Sequence, residues 1–250
     1  MTPRPLRIAI LECDTPPPGV QKSHGSYGGL FTALLRNAAS SLSPPLPESD
    51  LVISAYDVVK EIYPPSLDDF DGILMTGSKH NSFENEPWIL KLVEYTKKVL
   101  AQDRVRIVGV CFGHQIVGRA LGAPVGRSDK GWELSVTDLT LTPAGQKIFG
   151  QEKLAIHQLH RDIVHTYPEG VEPLAHTDVC LNHAMYIPRR VVTIQGHPEY
   201  TGDILGDILV ARNASGVIDD ESFNDAMPRL QNKQDGVLVA RAFLRFLLER

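Results

Sequence analysis

Residues 105–115 read VRIVGVCFGHQ, an apolar run that ends in a glycine-flanked turn around Cys111. The apolar run is typical of a buried strand, and helical spacing follows from Gly113 to Leu121. A strand that leads directly into a helix is the repeating unit of a parallel sheet covered by helices. The segment therefore predicts an α/β protein with Cys111 at a strand-to-helix turn.

The rest of the chain extends this alternation. Strands are predicted at 6–11, 51–59, 71–76 and 105–111, with helices at 28–42 and along the face of Trp88, Leu92, Tyr95 and Val99. Beyond Gly122 we expect added antiparallel strands within 132–141, 154–159, 172–176 and 184–195. The tail from Asp203 predicts helices, the last with an apolar face of Phe243, Leu244, Leu247 and Leu248. We expect one domain over 1–250, with a core of about 6–200 and a helical extension of about 203–250.

Composition, charge and cysteine content limit the classes of partner and the compartment that can be expected. The 250 residues are 42% hydrophobic and 22% charged, as in ordinary globular proteins. A net charge of -5 and the lack of a long basic run argue against a nucleic acid partner. No apolar run approaches the roughly 20 residues that cross a bilayer, so no membrane association is expected. Three scattered cysteines do not form a disulfide framework, which favours a reducing, cytoplasmic or also nuclear location.

The residues around Cys111 are typical of a nucleophilic cysteine. Gly109 and Gly113 would relieve the crowding of a strained turn. The start of the following helix favours a thiolate, and the N–H of Phe112 is available to an oxyanion. A lone cysteine on a strand of an α/β protein is, however, also typical of a structural residue. The presence of a base close to Cys111 would distinguish a catalytic cysteine from a structural one.

Residues 195–200 read QGHPEY and supply that base. In an extended conformation His197 and Glu199 leave the chain on the same face. Pro198 fixes its own φ and disfavours helix at His197. The carboxylate can then orient the imidazole towards a thiol, as in a Cys-His-Glu triad.

Together, the two segments resemble class I, triad-type glutamine amidotransferases, in which a G-x-C-x-G-x-Q turn is followed by a strand that ends in H-P-E. The resemblance covers about residues 6–200 and implies a flavodoxin-like, mostly parallel sheet with helices on both faces. It also implies Cys111 as nucleophile, His197 as general acid and base, and Glu199 as the residue that orients His197. No cofactor is implied.

The resemblance further implies contacts with substrate. Phe112 and either Gly77 or Ser78 would donate backbone N–H groups to the oxyanion; the sequence Thr76-Gly77-Ser78 departs from the family's usual Gly-Gly-Pro and leaves that choice open. The residues implied in substrate binding are Gln115, Trp132, Glu133, His160 and Asp162.

Other motifs are assigned no function. His157 and His160 point to opposite faces of a strand and lack a third ligand, so no metal site is expected. Gly25 to Gly29 is not followed by Gly-Lys-Ser/Thr and is no phosphate loop. Asp178 and His183 are expected on the surface.

The preferred function is a cysteine-dependent hydrolase of the γ-glutamyl amide bond, acting through a γ-glutamyl thioester. Its small-molecule substrate would be glutamine or a γ-glutamyl peptide such as glutathione or a conjugate. Residues 76–89 and 195–199 look closest to stand-alone members such as γ-glutamyl peptidases. Two alternatives remain: a glutaminase subunit that delivers ammonia to a separate synthetase partner, and a non-catalytic binding or regulatory relative.

Overall fold

Strands alternate with helices through the first half of the computed structural model, which describes residues 4–249. The strands are β1 Leu6–Glu12, β2 Leu51–Asp57, β3 Gly72–Met75, β4 Arg106–Val110, β5 Val125–Arg127, β6 Glu133–Leu141, β7 Lys153–His160, β8 Asp162–Val164, β9 Glu172–His176, β10 Ala184–Ile187 and β11 Val191–Ile194. The helices are α1 Pro18–His24, α2 Tyr27–Ser40, α3 Pro87–Leu100, α4 Phe112–Ala120, α5 Pro143–Phe149, α6 Gly202–Ala214, α7 Asp220–Ala226 and α8 Gly236–Leu248.

Within residues 4–249, nine of the strands form one sheet in the order β2-β1-β3-β4-β11-β10-β9-β6-β7. Neighbours from β2 to β11 are parallel, and this order is that of flavodoxin-like sheets. From β10 to β7 the sheet continues with antiparallel pairs. The expectation of a parallel core with added antiparallel strands is confirmed. β5 and β8 form a separate two-stranded sheet.

Helices cover both faces of the sheet. Alternate residues of β1 enter opposite clusters, Ile8 with α2 and α8 on one side and Ala9 with α3 and α4 on the other. Since both of their faces are buried, β3, β4 and β11 are mostly apolar, whereas β2 at the edge of the sheet is only partly buried.

The C-terminal tail contributes to this packing. Phe243 of α8 is fully buried in the same cluster as Phe31 of α2. Leu248, predicted on the apolar face of α8, is instead 41% exposed because it lies at the end of the helix. The tail thus includes part of the main core. No helix among the described residues is long and apolar enough to cross a membrane.

Three neighbouring parallel strands bring the predicted site together. β3 pairs Met75 with Gly109 of β4, and β11 pairs Thr193 with the same Gly109. The segments that follow these strands therefore emerge at one edge of the sheet. The carboxyl ends of parallel strands are where such sheets hold their ligands.

Candidate active site

Cys111 lies in a strained turn between β4 and α4. Its φ of 50° and ψ of -102° are unusual for a residue with a side chain. The backbone is held there because Cys111 N–H donates to Ile194 O at 2.9 Å. A Cβ on Gly113 would lie 2.5 Å from Met75 O, so the helix can approach β3 only with glycine. The crowding that the sequence predicted around Cys111 is present.

His197 and Glu199 follow β11. The Nδ1–H of His197 donates to Glu199 Oε1 at 2.7 Å, and both side chains are buried. The backbone N–H of His197 donates to His157 O at 2.8 Å, which ties the segment to β7. The bond to Glu199 thus orients the imidazole, and the backbone bond to His157 fixes the position of His197 relative to β7.

Tyr200 supports the imidazole from one face. Its ring stacks on His197 with centroids 4.2 Å apart and planes inclined by 8°. Its hydroxyl lies 3.4 Å from that of Tyr27 at the start of α2. No role for Tyr200 follows from the sequence alone, and its position directly after His-Pro-Glu is the available signal.

The pKa of His197 is set by competing effects. Burial alone would lower it, but the Glu199 carboxylate and the neighbouring Cys111 thiol outweigh burial and raise the pKa to about 10. The Cys111 side chain lies close enough to His197 to contribute to this shift. At neutral pH both nitrogens of the imidazole therefore carry a proton, and the positively charged ring lies beside the sulfur of Cys111.

The turn after β3 contacts both members of this pair. A Cβ on Gly77 would lie 2.7 Å from His197 Cε1 and 3.6 Å from Cys111 Cβ. Thr76 Oγ1 donates to Gly77 O at 2.9 Å and accepts from Cys13 N–H at 3.0 Å, which fixes the turn. Within residues 4–249, the N–H groups of Gly77, Ser78 and Phe112 donate to no acceptor. All three predicted oxyanion donors are free, and the choice among them stays a prediction.

Cys111 opens into a cavity of about 650 Å³, referred to here as the cleft. Four of the predicted substrate-binding residues line it, namely Gln115, Trp132, His160 and Asp162. Gln115 is fixed because its Nε2 donates to Asp162 O at 2.8 Å and to Gln195 Oε1 at 3.1 Å, while its Oε1 accepts from Ser82 at 2.7 Å. Their contact with substrate stays a prediction.

Glu133 lies behind the wall of the cleft and does not line it. Its Oε2 accepts from His183 Nε2 at 2.7 Å and lies 3.0 Å from His160 Nε2. Burial alone would raise the pKa of Glu133, but the two histidines outweigh burial and lower it. Glu133 thus contacts a residue of the cleft wall, and the structure shows no direct path from it to the cleft.

His183, predicted on the surface, is fully buried, so that prediction was wrong; Asp178 is exposed as expected. His183 reaches Glu133 across a separation of 50 residues, which no local pattern reveals. The ligand atoms of Glu133, His160 and His183 lie within 4.8 Å of one another, so these residues could hold a metal ion. This cluster is not apparent in the sequence, because its three residues come from distant segments and the near neighbour of His160 in the sequence, His157, is not a member.

Several cationic residues of the cleft were also missed. Arg127, Arg161 and Arg212 line it, from β5, the β7–β8 turn and α6. Arg127 pairs with Asp162 at 3.1 Å. Arg161 and Arg212 both lie over the Trp132 ring, at 5.3 Å and 5.9 Å from its centroid. Charged residues in loops and on half-exposed helices carry no signal that points to a common cavity.

A smaller cavity of about 200 Å³, the side cavity, adjoins the cleft. His197 and Tyr200 line it together with Tyr27, Ile208 and Ala211. Four residues line both cavities, namely Ser78, Lys79, Leu159 and Arg212. His197 therefore faces a space distinct from the one that contains Gln115 and Asp162.

Comparisons with known proteins agree with this geometry. The family model for class I glutamine amidotransferases matches residues 46–214. A glutamine amidotransferase-like protein of Schizosaccharomyces pombe is 36% identical over 97% of this chain and 98% of its own length. Gamma-glutamyl peptidase 4 of Arabidopsis thaliana is 32% identical over 79% of this chain and 77% of its own length.

The fold is also found among solved structures. A glutamine amidotransferase from Thermotoga maritima superimposes with a TM-score of 0.74 at 15% identity, covering 98% of this chain and 99% of its own. At that identity the likeness concerns the flavodoxin-like fold alone. With the family model and the relatives added, the chain belongs to the class I glutamine amidotransferase family.

Proposed function

We propose that this protein is a cysteine-dependent hydrolase of γ-glutamyl amide bonds, with Cys111, His197 and Glu199 as its catalytic triad. The observation that carries the proposal is the strained φ of 50° at Cys111, next to a buried His197 that Glu199 orients at 2.7 Å. Strain of this kind persists where the surrounding structure enforces it, commonly at active sites. A structural cysteine needs neither the strain nor the protonated imidazole.

In the first half-reaction the Cys111 thiolate attacks the γ-carbonyl carbon, and the carbonyl oxygen becomes an oxyanion. The N–H of Phe112, with that of Gly77 or Ser78, donates to this oxyanion. His197 gives its proton to the leaving nitrogen as the C–N bond breaks. The product is a γ-glutamyl thioester on Cys111 and a free amine.

In the second half-reaction water attacks the thioester. His197, now neutral, takes a proton from the water as the new C–O bond forms. The C–S bond then breaks, glutamate leaves, and the thiolate beside the imidazolium is restored. Glu199 stays ionised and keeps the imidazole in one tautomer throughout.

A γ-glutamyl peptide is the substrate class that we favour. The Arabidopsis thaliana relative is named a gamma-glutamyl peptidase. The side cavity beside His197 offers room for a leaving group larger than ammonia. Glutathione or an S-substituted glutathione fits this description. The cysteines at positions 13, 111 and 180 are all free, which supports a reducing compartment such as the cytoplasm or nucleus.

The test is to incubate the purified protein with glutamine, glutathione and an S-substituted glutathione, and to measure glutamate, ammonium and cysteinylglycine. We expect cysteinylglycine release that Cys111→Ala lowers by at least about a thousandfold. Cys180→Ala is the matched control, because burial raises the pKa of the Cys180 thiol to about 12 and keeps it unreactive.

Two results would contradict the proposal. Release of ammonium from glutamine, only when a synthetase is added, would favour the ammonia-supplying subunit. Turnover that is equal in the wild type and in Cys111→Ala would favour the non-catalytic relative.

A further inference from the structure

Cys111 and His197 line two adjoining cavities. Cys111 lines the cleft, together with the predicted substrate-binding residues Gln115 and Asp162. His197 lines the side cavity. A general acid must lie within hydrogen-bonding reach of the atom that it protonates. The leaving nitrogen, and whatever is attached to it, therefore belongs on the side of His197, while the γ-glutamyl group occupies the cleft.

Arg212 of α6 stands where the two cavities meet, since it lines both. Other cations at this place already have partners: Lys79 pairs with Asp14 at 2.9 Å, and Arg127 pairs with Asp162 at 3.1 Å. Among residues 4–249 the Arg212 guanidinium has neither an ion pair nor a hydrogen bond. Its charge is therefore available to a ligand.

Trp132 fixes the position of that charge. The Arg212 guanidinium lies over one side of the indole at 5.9 Å, and Arg161 lies over the same ring at 5.3 Å. Stacking on an aromatic face leaves the N–H edge of a guanidinium free for a planar anion. Arg161 is likewise without a carboxylate partner among the described residues, and its Nε is buried without an acceptor. Of these two cations only Arg212 also lines the side cavity, so its charge is the one available to an anion on that side.

We propose that Arg212 binds a carboxylate on the leaving group, so that the enzyme prefers γ-glutamyl peptides with a free C-terminus over γ-glutamyl amides that lack one. The inference rests on the proposed function and specifies its substrate class. Guanidinium and carboxylate match in shape and can form two parallel hydrogen bonds. Tyr27, Ile208 and Ala211 form the apolar wall that the side chain of the leaving residue would contact. Ammonia, the leaving group of glutamine, uses none of these features.

The test compares two substrates that differ only in this carboxylate, γ-glutamylalanine and γ-glutamylalaninamide. We expect the wild type to have a kcat/KM for the acid about 10- to 100-fold above that for the amide, the range of a hydrogen bond to a charged group. Arg212→Gln should bring this ratio close to one. Arg212→Lys keeps the charge and the stem, and should retain part of the preference. Arg36→Gln, an exposed arginine that pairs with Glu48, is the matched control and should keep the wild-type ratio.

The outcomes distinguish a failure of the carboxylate site from a failure of the peptidase function. If Arg212→Gln slows both substrates equally, Arg212 acts through its packing on Trp132 and the carboxylate site is wrong, although the peptidase function stands. A wild type that cleaves acid and amide equally well also overturns the site. If the wild type hydrolyses glutamine but neither alanine derivative, the peptidase function fails and the carboxylate site fails with it. Circular dichroism of each variant checks that a changed ratio does not come from unfolding.

Discussion

At the scale of single residues, the space around His197 is as important as its charge. Tyr200 covers one face of the imidazole, and Glu199 holds its Nδ1. Gly77 approaches its Cε1, where a Cβ would lie at 2.7 Å. The ring is thus confined on several sides, and it can meet the sulfur of Cys111 only because position 77 has no side chain.

Gly77→Ala tests this confinement. A contact of 2.7 Å is too short for a real Cβ, so His197 or the turn must shift and the position of the imidazole relative to Cys111 changes. We expect kcat to fall by about 100-fold, as for a displacement of catalytic groups by about 1 Å. Steady-state hydrolysis of a γ-glutamyl substrate measures the loss.

Gly206→Ala in α6 is the control for that substitution. Its Cβ would meet only the end of the flexible Leu230 side chain, at 3.3 Å. Its kcat should remain near that of the wild type. An unchanged kcat in Gly77→Ala would show that the imidazole tolerates the extra methyl group, and the close approach would then have no catalytic meaning.

The sequence was informative about the site where function depends on short spacing. Cys111, His197 and Glu199 lie in two brief motifs, and the contact of His197 with Glu199 spans two residues. The pairing of Glu133 with His183 and the stacking of Arg212 on Trp132 connect distant segments. Such contacts depend on the pairing of β6 with β9 and of β9 with β10, and on the docking of α6, none of which a single sequence specifies.

At the scale of elements, α8 is the helix of the C-terminal tail that packs against the central sheet. It packs against α2, and its Phe243 is fully buried in the cluster that also contains Ile8 and Val108. The division into a core of about 6–200 and a helical extension of about 203–250 stays a prediction. One domain over 1–250 stays a prediction, and the burial of α8 supports it.

Phe243→Ala measures how much α8 contributes. Removal of a fully buried phenylalanine leaves a cavity and typically costs about 3–5 kcal/mol of the free energy of unfolding. Leu248→Ala on the same helix removes a side chain that is 41% exposed and should cost less than about 1 kcal/mol. Urea denaturation, followed by circular dichroism, gives both values. Equal losses would indicate that α8 is only loosely attached.

Long buried strands and amphipathic helices can be predicted from the sequence. A strand that is buried on both faces gives a continuous apolar run, and a helix that is buried on one face gives apolar residues at helical spacing. β1, β4 and α4 are predicted with ends one residue from those observed, and the predicted face of Trp88, Leu92, Tyr95 and Val99 lies within α3. The short elements α1, α5, β5 and β8 were not predicted, since three to seven residues contain too few periods to be distinguished from a loop.

At the scale of the whole molecule, buried histidines couple stability to pH. Burial lowers the pKa of His114 to about 3, and burial together with the charge of His197 lowers that of His157 to about 4. His197 is shifted the other way, to about 10. The ordinary value for histidine is 6.5, so these groups act on opposite sides of neutrality.

We expect the free energy of unfolding to be greatest near pH 6.5 and to fall on both sides. Because His114 and His157 titrate at lower pH when folded, the unfolded chain binds more protons as the pH falls from 6.5 towards 4, and stability is lost. Because the folded-state pKa of His197 is raised, its contribution is complete below about pH 6.5 and is lost as the pH rises through about 10. Urea titrations between pH 4 and pH 10 measure this profile.

Glu199→Gln isolates the alkaline side of the profile. Without the carboxylate, the pKa of His197 falls, and the loss of stability above pH 6.5 should become shallower. Glu94→Gln, an exposed residue paired with Lys97, should leave the slope as in the wild type. An alkaline slope in Glu199→Gln as steep as that of the wild type would assign the pH dependence to other groups.

The backbone of Cys111 also has an evolutionary consequence. A φ of 50° with a ψ of -102° is costly for cysteine but accessible to glycine, which lacks a Cβ. If the protein is the proposed hydrolase, selection for hydrolysis keeps a less stable residue at this position against a more stable alternative. In a gene copy released from that selection, exchange of the nucleophile for glycine would abolish hydrolysis and strengthen the fold in a single step. Relatives that no longer catalyse the reaction are thus accessible by a mutation that protein stability itself favours.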